Sequence, residues 1–251
     1  PRDRMTTEIP FTFDQFSFSE PIVRAIREAG FRQPSPIQAE VIPVIMSGRD
    51  LIGQAHTGTG KTAAFCLPAI QRMKGGCGVE LLVITPTREL AAQVSDEIYR
   101  LGRYADVRTV AITGGESYSR QLKLANGGCQ AVVATPGRML DLLKSGKVKS
   151  FRPSMIVLDE ADEMLDMGFL EEVQAIFSYL PEDRQTLLFS ATMPEPIRKL
   201  ASSIMRDPAH VKTNEGSRAT NQDIEQRYYV MEEEERQEAV SRLIAELDPE
   251  K

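Results

Sequence analysis

Short apolar runs recur along the middle of the chain, and each is followed by a stretch with helical spacing. The runs are Asp50–Ala55, Leu81–Thr85, Val107–Ile112, Ala131–Ala134, Met155–Leu158 and Thr186–Ser190. Helices are predicted over 61–72, from 88 to about 101, from about 117 to 125, near 138–143 and near 195–204. Ahead of these, Ser19 and Pro21 mark the start of a helix that stops at Gly30, and Pro34-Ser35-Pro36 breaks the chain before a second helix from about 37 to 46. Continuous apolar runs, as opposed to alternating ones, belong to strands covered on both faces. Their alternation with helices predicts an α/β fold, a mostly parallel sheet with helices on both faces. Ligands in such sheets sit at the carboxyl ends of the strands.

From Asp207 the pattern changes. Residues 214–221 are polar and turn-rich and read as a linker, followed by a predicted strand over 224–231 and a helix over 232–247. One strand and one helix bury no core of their own. The expected division is an N-terminal segment 1–18, a domain 19–213, a linker 214–221 and the start of a second domain at 222–251. The alternative is a C-terminal extension packed on the first domain.

Composition narrows the class. At 251 residues, with 41% hydrophobic and 26% charged content, ordinary for a soluble protein, the chain has room for one large domain, or for one domain and part of another. The net charge of −6 supplies no global basic field, so nucleic-acid binding would rest on a local patch. No apolar run reaches the length of a membrane span, and the first residues carry no apolar leader. The three cysteines, Cys66, Cys77 and Cys129, form no C-x-x-C pair, and there are only two histidines, His56 and His210. A disulfide framework or a zinc site is not expected, and a reducing cytoplasm fits.

Two stretches carry chemistry. Ala55-His56-Thr57-Gly58-Thr59-Gly60-Lys61-Thr62 fits the phosphate-binding pattern G-x-x-x-x-G-K-[ST], with Ala55 in the first glycine's place. Glycines let backbone N–H groups close around a triphosphate, and the following helix adds its partial positive end. Lys61 supplies a cation for the β- and γ-phosphates, and the Thr62 hydroxyl is a ligand for Mg²⁺. About a hundred residues later an apolar run ends in Asp159-Glu160-Ala161-Asp162. Asp159 is placed to hold the metal through its water shell, and Glu160 to position or deprotonate the attacking water. On its own the acidic group also reads as a helix N-terminus that the dipole favours.

With those residues in hand, the chain resembles the DEAD-box RNA helicases, whose signature is Asp159-Glu160-Ala161-Asp162. Gly30-Phe31-Arg32-Gln33-Pro34-Ser35-Pro36-Ile37-Gln38 is similar to their adenine-reading Q motif, and Phe13 stands seventeen residues before Gly30, where the family keeps an aromatic. Pro86-Thr87-Arg88-Glu89-Leu90, Gly114-Gly115 and Thr135-Pro136-Gly137-Arg138 match RNA-facing motifs, and Ser190-Ala191-Thr192 matches the coupling motif. The match runs from Phe13 to about Val211. His56 departs from the family, which commonly has glutamine there. The resemblance implies a RecA-like P-loop domain that uses ATP and Mg²⁺. It implies an ATP site built from Phe13, Arg32, Gln38 and residues 56–62, with Lys61, Asp159 and Glu160 catalytic. It implies RNA backbone contacts from Pro86, Thr87, Arg88, Gly115, Thr135 and Arg138, and coupling through Asp162, Ser190 and Thr192.

Several readings stay open beside this one. The Gln38 amide has the donor and acceptor to match the N6/N7 edge of adenine. Phe13 either stacks on that adenine or packs the N-terminal segment on the core. Lys144, Lys147, Lys149 and Arg152 widen the basic field or simply form a solvated helix end and loop. The family's arginine finger lies in a second RecA-like domain, in a His-Arg-x-Gly-Arg-x-x-Arg segment that this sequence lacks. The chain alone is therefore expected to bind adenine nucleotide weakly, hydrolyse it slowly and unwind nothing. A GTPase would need an Asn-Lys-x-Asp reader, which is absent. A DNA translocase and a non-catalytic RNA clamp remain as rivals.

Overall fold

Every second residue of the central strands buries itself on the opposite face of one sheet, which is why the sequence shows unbroken apolar runs. The computed structural model describes residues 12–75, 78–149, 151–213, 237–238 and 241–242. Its seven strands are β1 (Leu51–Gln54), β2 (Val79–Ile84), β3 (Thr109–Ile112), β4 (Ala131–Ala134), β5 (Phe151–Leu158), β6 (Gln185–Ser190) and β7 (Ala209–Lys212). They lie in the order β3-β4-β2-β5-β6-β1-β7, and every pair is parallel. The helices are α1 (Glu20–Glu28), α2 (Pro36–Met46), α3 (Lys61–Arg72), α4 (Arg88–Gly102), α5 (Tyr118–Ala125), α6 (Pro136–Lys144), α7 (Ala161–Asp166), α8 (Leu170–Phe177) and α9 (Glu195–Ile204).

Two apolar layers follow from the alternation. Leu81, Val83, Val133, Val157 and Phe189 pack against α1–α4 through residues such as Ile22, Ile42, Phe65 and Ile98. Leu82, Ile84, Val132, Ile156 and Leu188 pack against α5–α9 through Met139, Met164, Ile176 and Ile197. Each such side chain contributes roughly 1.5–3 kcal/mol when fully buried. The parallel sheet with helices on both faces is the architecture expected from the sequence. Among the described residues no helix is long and apolar enough to cross a membrane.

Some elements were not legible. Among the described residues β7 pairs with β1 alone, and just one of its residues, Val211, is buried. The stretch 159–185 holds α7 and α8, separated by Gly168 at φ 78°. β5 begins four residues before the apolar run, because Arg152 and Pro153 interrupt the pattern where the β2–β5 register shifts. The chain divides into two units, Pro1–Glu215 and Gly216–Lys251. The expected linker, the strand over 224–231 and the full helix over 232–247 lie outside the described residues, as do Phe11 and Cys77.

Candidate nucleotide site and nucleic-acid face

Strand β1 ends at Gln54, and the chain then turns through 55–60 into α3. Gly60 caps α3 at φ 92°, a left-handed conformation that favours glycine. A Cβ there would also lie 2.6 Å from Gln38 Nε2. Gln38 is the brace of this loop. It donates from Nε2 to the Gly60 carbonyl at 3.1 Å and accepts the Ser35 N–H on Oε1 at 2.9 Å. The Ser35 hydroxyl donates to the Thr59 carbonyl at 2.8 Å. Thr59 in turn donates its hydroxyl to the His56 carbonyl at 2.8 Å. The N-terminus of α2 thus holds the loop from behind. One amide proton and one carbonyl lone pair of Gln38 remain for a further partner.

The loop opens onto a cleft of about 680 Å³. Thr57, Gly58, Gly60, Lys61 and Thr62 line it, and so do Asp159, Glu160 and Gln38. Lys61 and the two carboxylates, about a hundred residues apart in sequence, therefore share one cavity. Phe13 and Arg32 do not line it. Phe13 is buried and stacks on Phe31, with centroids 6.2 Å apart, while Arg32 is exposed. Phe31 lines the cleft, together with Glu89, Gln93, Glu97 and Arg100 of α4. Arg100 pairs with Glu97 at 2.7 Å and lies 5.6 Å from the Phe31 centroid. The sequence reading missed this wall. Its signal was present: positions 89, 93, 97 and 100 recur at helical spacing on one face of α4.

Asp159 is only 3% exposed, and its Oδ1 has no hydrogen-bond partner. Burial raises its carboxyl to about 6; the Lys61 ammonium pulls it down, and the Glu160 carboxylate pushes it further up. An orphaned, buried carboxylate oxygen in a cleft with a lysine, a threonine hydroxyl and a glycine loop fits a divalent cation that arrives with a triphosphate. Among the described residues no three His, Cys, Asp or Glu side chains gather as a cage. Mg²⁺ needs only one or two carboxylates beside substrate phosphates. Glu160 itself sits at φ 56°, ψ 55°, left-handed for a non-glycine residue, which costs about 1–2 kcal/mol.

Asp162 is tied to the next strand tip. Its Oδ2 accepts from the Thr192 N–H at 2.9 Å and from the Thr192 hydroxyl at 3.1 Å, and its own N–H donates to Ser190 Oγ at 3.2 Å. Partial burial acts to raise its carboxyl, but the bonds with Ser190 and Thr192 outweigh it and hold the group below its ordinary value. Gln54 Nε2 donates to the Ala191 carbonyl at 3.1 Å, so β1, β5 and β6 are linked at one end.

The remaining motif residues gather at the tips of β2, β4 and β3, three neighbouring strands. Thr87 caps α4 by accepting the Leu90 N–H at 3.2 Å, and it also lines the nucleotide cleft. Pro86 is buried and Arg88 exposed. The Arg88 guanidinium lies over Gly115, where any side chain would collide with it. Thr135 starts α6. Arg138 donates to the Glu116 carbonyl at 3.0 Å and to Gln121 Oε1 at 2.9 Å, which commits one of its nitrogens to the protein. Loop N–H groups and helix N-termini of this kind suit phosphates more than base edges.

Residues 35–200 match the DEAD/DEAH box helicase family model. The chain is 50% identical over 240 residues to the DEAD-box ATP-dependent RNA helicase RhpA of Helicobacter pylori, covering 96% of this chain and 49% of that protein. It is 44% identical over 239 residues to the DEAD-box ATP-dependent RNA helicase CshA of Streptococcus pneumoniae, covering 95% and 45%. A crystal structure of a DEAD box protein from the hyperthermophile Methanococcus jannaschii superposes with a TM-score of 0.78 at 40% identity, over 93% of this chain and 63% of that one. The chain spans about half the length of the curated relatives it matches.

Proposed function

Because the chain belongs to the DEAD/DEAH box helicase family, we propose that it is the ATP-binding RecA-like half of an ATP-dependent RNA helicase. The observation that carries this reading is the single cleft shared by Thr57, Gly58, Gly60, Lys61, Thr62, Asp159 and Glu160. The loop's N–H groups and Lys61 take the triphosphate. Glu160 orients the attacking water and accepts its proton as the water oxygen bonds to the γ-phosphorus. The bond from that phosphorus to the bridging oxygen breaks, and ADP and phosphate leave. Thr62 and Asp159 would hold Mg²⁺, which when bound neutralises charge on the β- and γ-oxygens. The free N–H and lone pair of Gln38 would read adenine, and the Phe31–Arg100 wall would face the rest of the nucleoside.

RNA would lie across Pro86, Thr87, Arg88, Gly115 and Thr135 and be read by its backbone, with Arg138 bracing that surface. Residues from about 222 onward would begin a second RecA-like domain that supplies the positive charge hydrolysis still lacks. Cys66 and Cys129 are free thiols, which suits the cytoplasm. The test uses the full-length protein. Glu160→Gln should leave ATP binding largely intact and lower RNA-stimulated turnover about 10²–10⁴-fold, whereas Lys61→Ala should weaken ATP binding itself. Unchanged turnover in the Gln variant refutes the role of Glu160. Equal stimulation by DNA and RNA would favour a DNA translocase.

A further inference from the structure

The nucleotide and nucleic-acid motifs use the carboxyl ends of the strands and leave the open side of β3 unused. Among the described residues β3 pairs with β4 alone. The carbonyls of Arg108 and Ile112 accept the N–H groups of Ala131 and Thr135 at 3.1 Å each. In a parallel strand, alternate residues turn their backbone groups to opposite sides, so Thr109 and Ala111 offer theirs away from the sheet. The next such carbonyl, on Thr113, is closed by Gln121 Nε2 at 2.9 Å. The open segment is thus short and defined.

A groove of about 630 Å³ lies at the beginning of this edge, between α4 on one face and α5 on the other. Its apolar lining includes Val107, Val110 and Cys129, together with Tyr99 and Leu124, which are 63% and 47% exposed. Arg108, Arg120 and Lys123 stand in the same lining, and among the described residues no carboxylate does. That is a local excess of three positive groups on a chain with 36 acidic against 30 basic residues. Among the described residues Arg108 and Lys123 form no ion pair, and Arg120 reaches Glu116 only at 4.0 Å. Exposed edges are usually blunted by proline, bulges or charge on the strand itself. Residues Thr109–Ile112 carry none of these, and Arg120 and Lys123 belong to α5.

We propose that this groove docks an extended acidic segment of a partner protein. The segment would add a strand to β3 through Thr109 and Ala111, seat an apolar side chain between Tyr99 and Leu124, and pair its carboxylates with Arg108, Arg120 and Lys123. RNA fits less well. The groove sits at the amino end of β3, away from the loops that suit phosphates, and its lining offers one aromatic ring, Tyr99, where a single strand would want successive stacking platforms.

The test is a random-peptide display selection on the 251-residue chain, run in parallel on Leu124→Asp and on Arg108→Glu/Lys123→Glu. The expected result is a family of sequences with one or two apolar residues flanked by Asp and Glu. A synthetic member should shift the amide resonances of Thr109 and Ala111. Its affinity should fall about tenfold or more in each variant, while ADP binding, which reports an intact fold, stays unchanged. Recovery of no acidic–apolar consensus, or of peptides indifferent to both variants, overturns the proposal. So does a labelled oligouridine that displaces the peptide, which would give the groove to RNA. Concentration-dependent self-association that Leu124→Asp abolishes would give it to a second copy of the chain.

Discussion

Asp159 and Asp162 stand three residues apart, yet their surroundings push them in opposite directions. Asp159 is buried with an unpartnered oxygen, and its carboxyl is raised from 3.8 to about 6. An acid raised in the folded state keeps its proton after the unfolded chain has lost its own. Stability therefore falls as pH rises from 3.8 to about 6, and the full penalty, about 3 kcal/mol, stands above that. Asp159→Asn should be more stable than the parent above pH 6 by up to that amount, with the gap closing towards pH 4. Urea unfolding across this range checks it, and a gap independent of pH would assign the penalty to another group. In the same window, affinity for magnesium–nucleotide should fall as pH drops below about 6, because a metal ligand must be deprotonated. Asp162 behaves the other way. Its lowered carboxyl supports the fold above its unfolded value and loses that support as pH falls through the folded one. The penalty at Asp159 and the left-handed backbone of Glu160 are stability given up at the residues proposed to meet the triphosphate.

At the scale of elements, the 55–60 loop is braced by α2 as well as by its own strand and helix. Ser35 and Gln38 each make one hydrogen bond from the start of α2 to residues 59–60, and a third, from the Ser35 N–H to Gln38 Oε1, ties the two to each other. Gln38→Ala removes the Gly60 brace and the group proposed to read adenine. It should weaken ADP binding about five- to tenfold, from one net hydrogen bond of about 1 kcal/mol, and weaken GDP binding less. Equal losses for the two nucleotides, measured by titration, would make Gln38 a brace alone. This double use was only half visible in the sequence. The Q-motif spacing pointed to Gln38, but no periodicity announces that a helix cap reaches a loop more than twenty residues later. Phe13 shows the opposite case: its position suggested a nucleotide platform, and packing places it against Phe31 in the core. Long apolar strands and capped helices were legible because burial on two faces leaves a strong pattern. β7 was not, since an edge strand with one buried residue resembles a loop. The six-residue α7 is too brief for a helical period to stand out.

Across the whole sheet, strand order sorts the chemistry that chain order mixes. The proposed nucleic-acid loops follow β3, β4 and β2, and the nucleotide residues follow β5 and β1. The border falls between β2 and β5, which are paired neighbours, and Thr87 of the β2 loop lines the nucleotide cleft. On the far side of β5, Asp162 reaches β6 through Ser190 and Thr192. On its other side the Asp159 N–H donates to the Ile84 carbonyl of β2 at 3.0 Å, so the segment 159–162 is tied to β2 and to β6 and bridges the border. If that bridge transmits work, cutting it should separate binding from its consequence. In the full-length protein, Ser190→Ala/Thr192→Val removes two hydroxyls that meet Asp162 but no residue that lines the cleft. ATP affinity should stay near the parent value, while ATP-driven duplex release falls about tenfold, the effect of some 1.4 kcal/mol. Parallel equilibrium binding and strand-release assays decide between the two roles. If affinity and release decline together, the bonds only hold the strand tips in place; if release alone declines, they carry the signal.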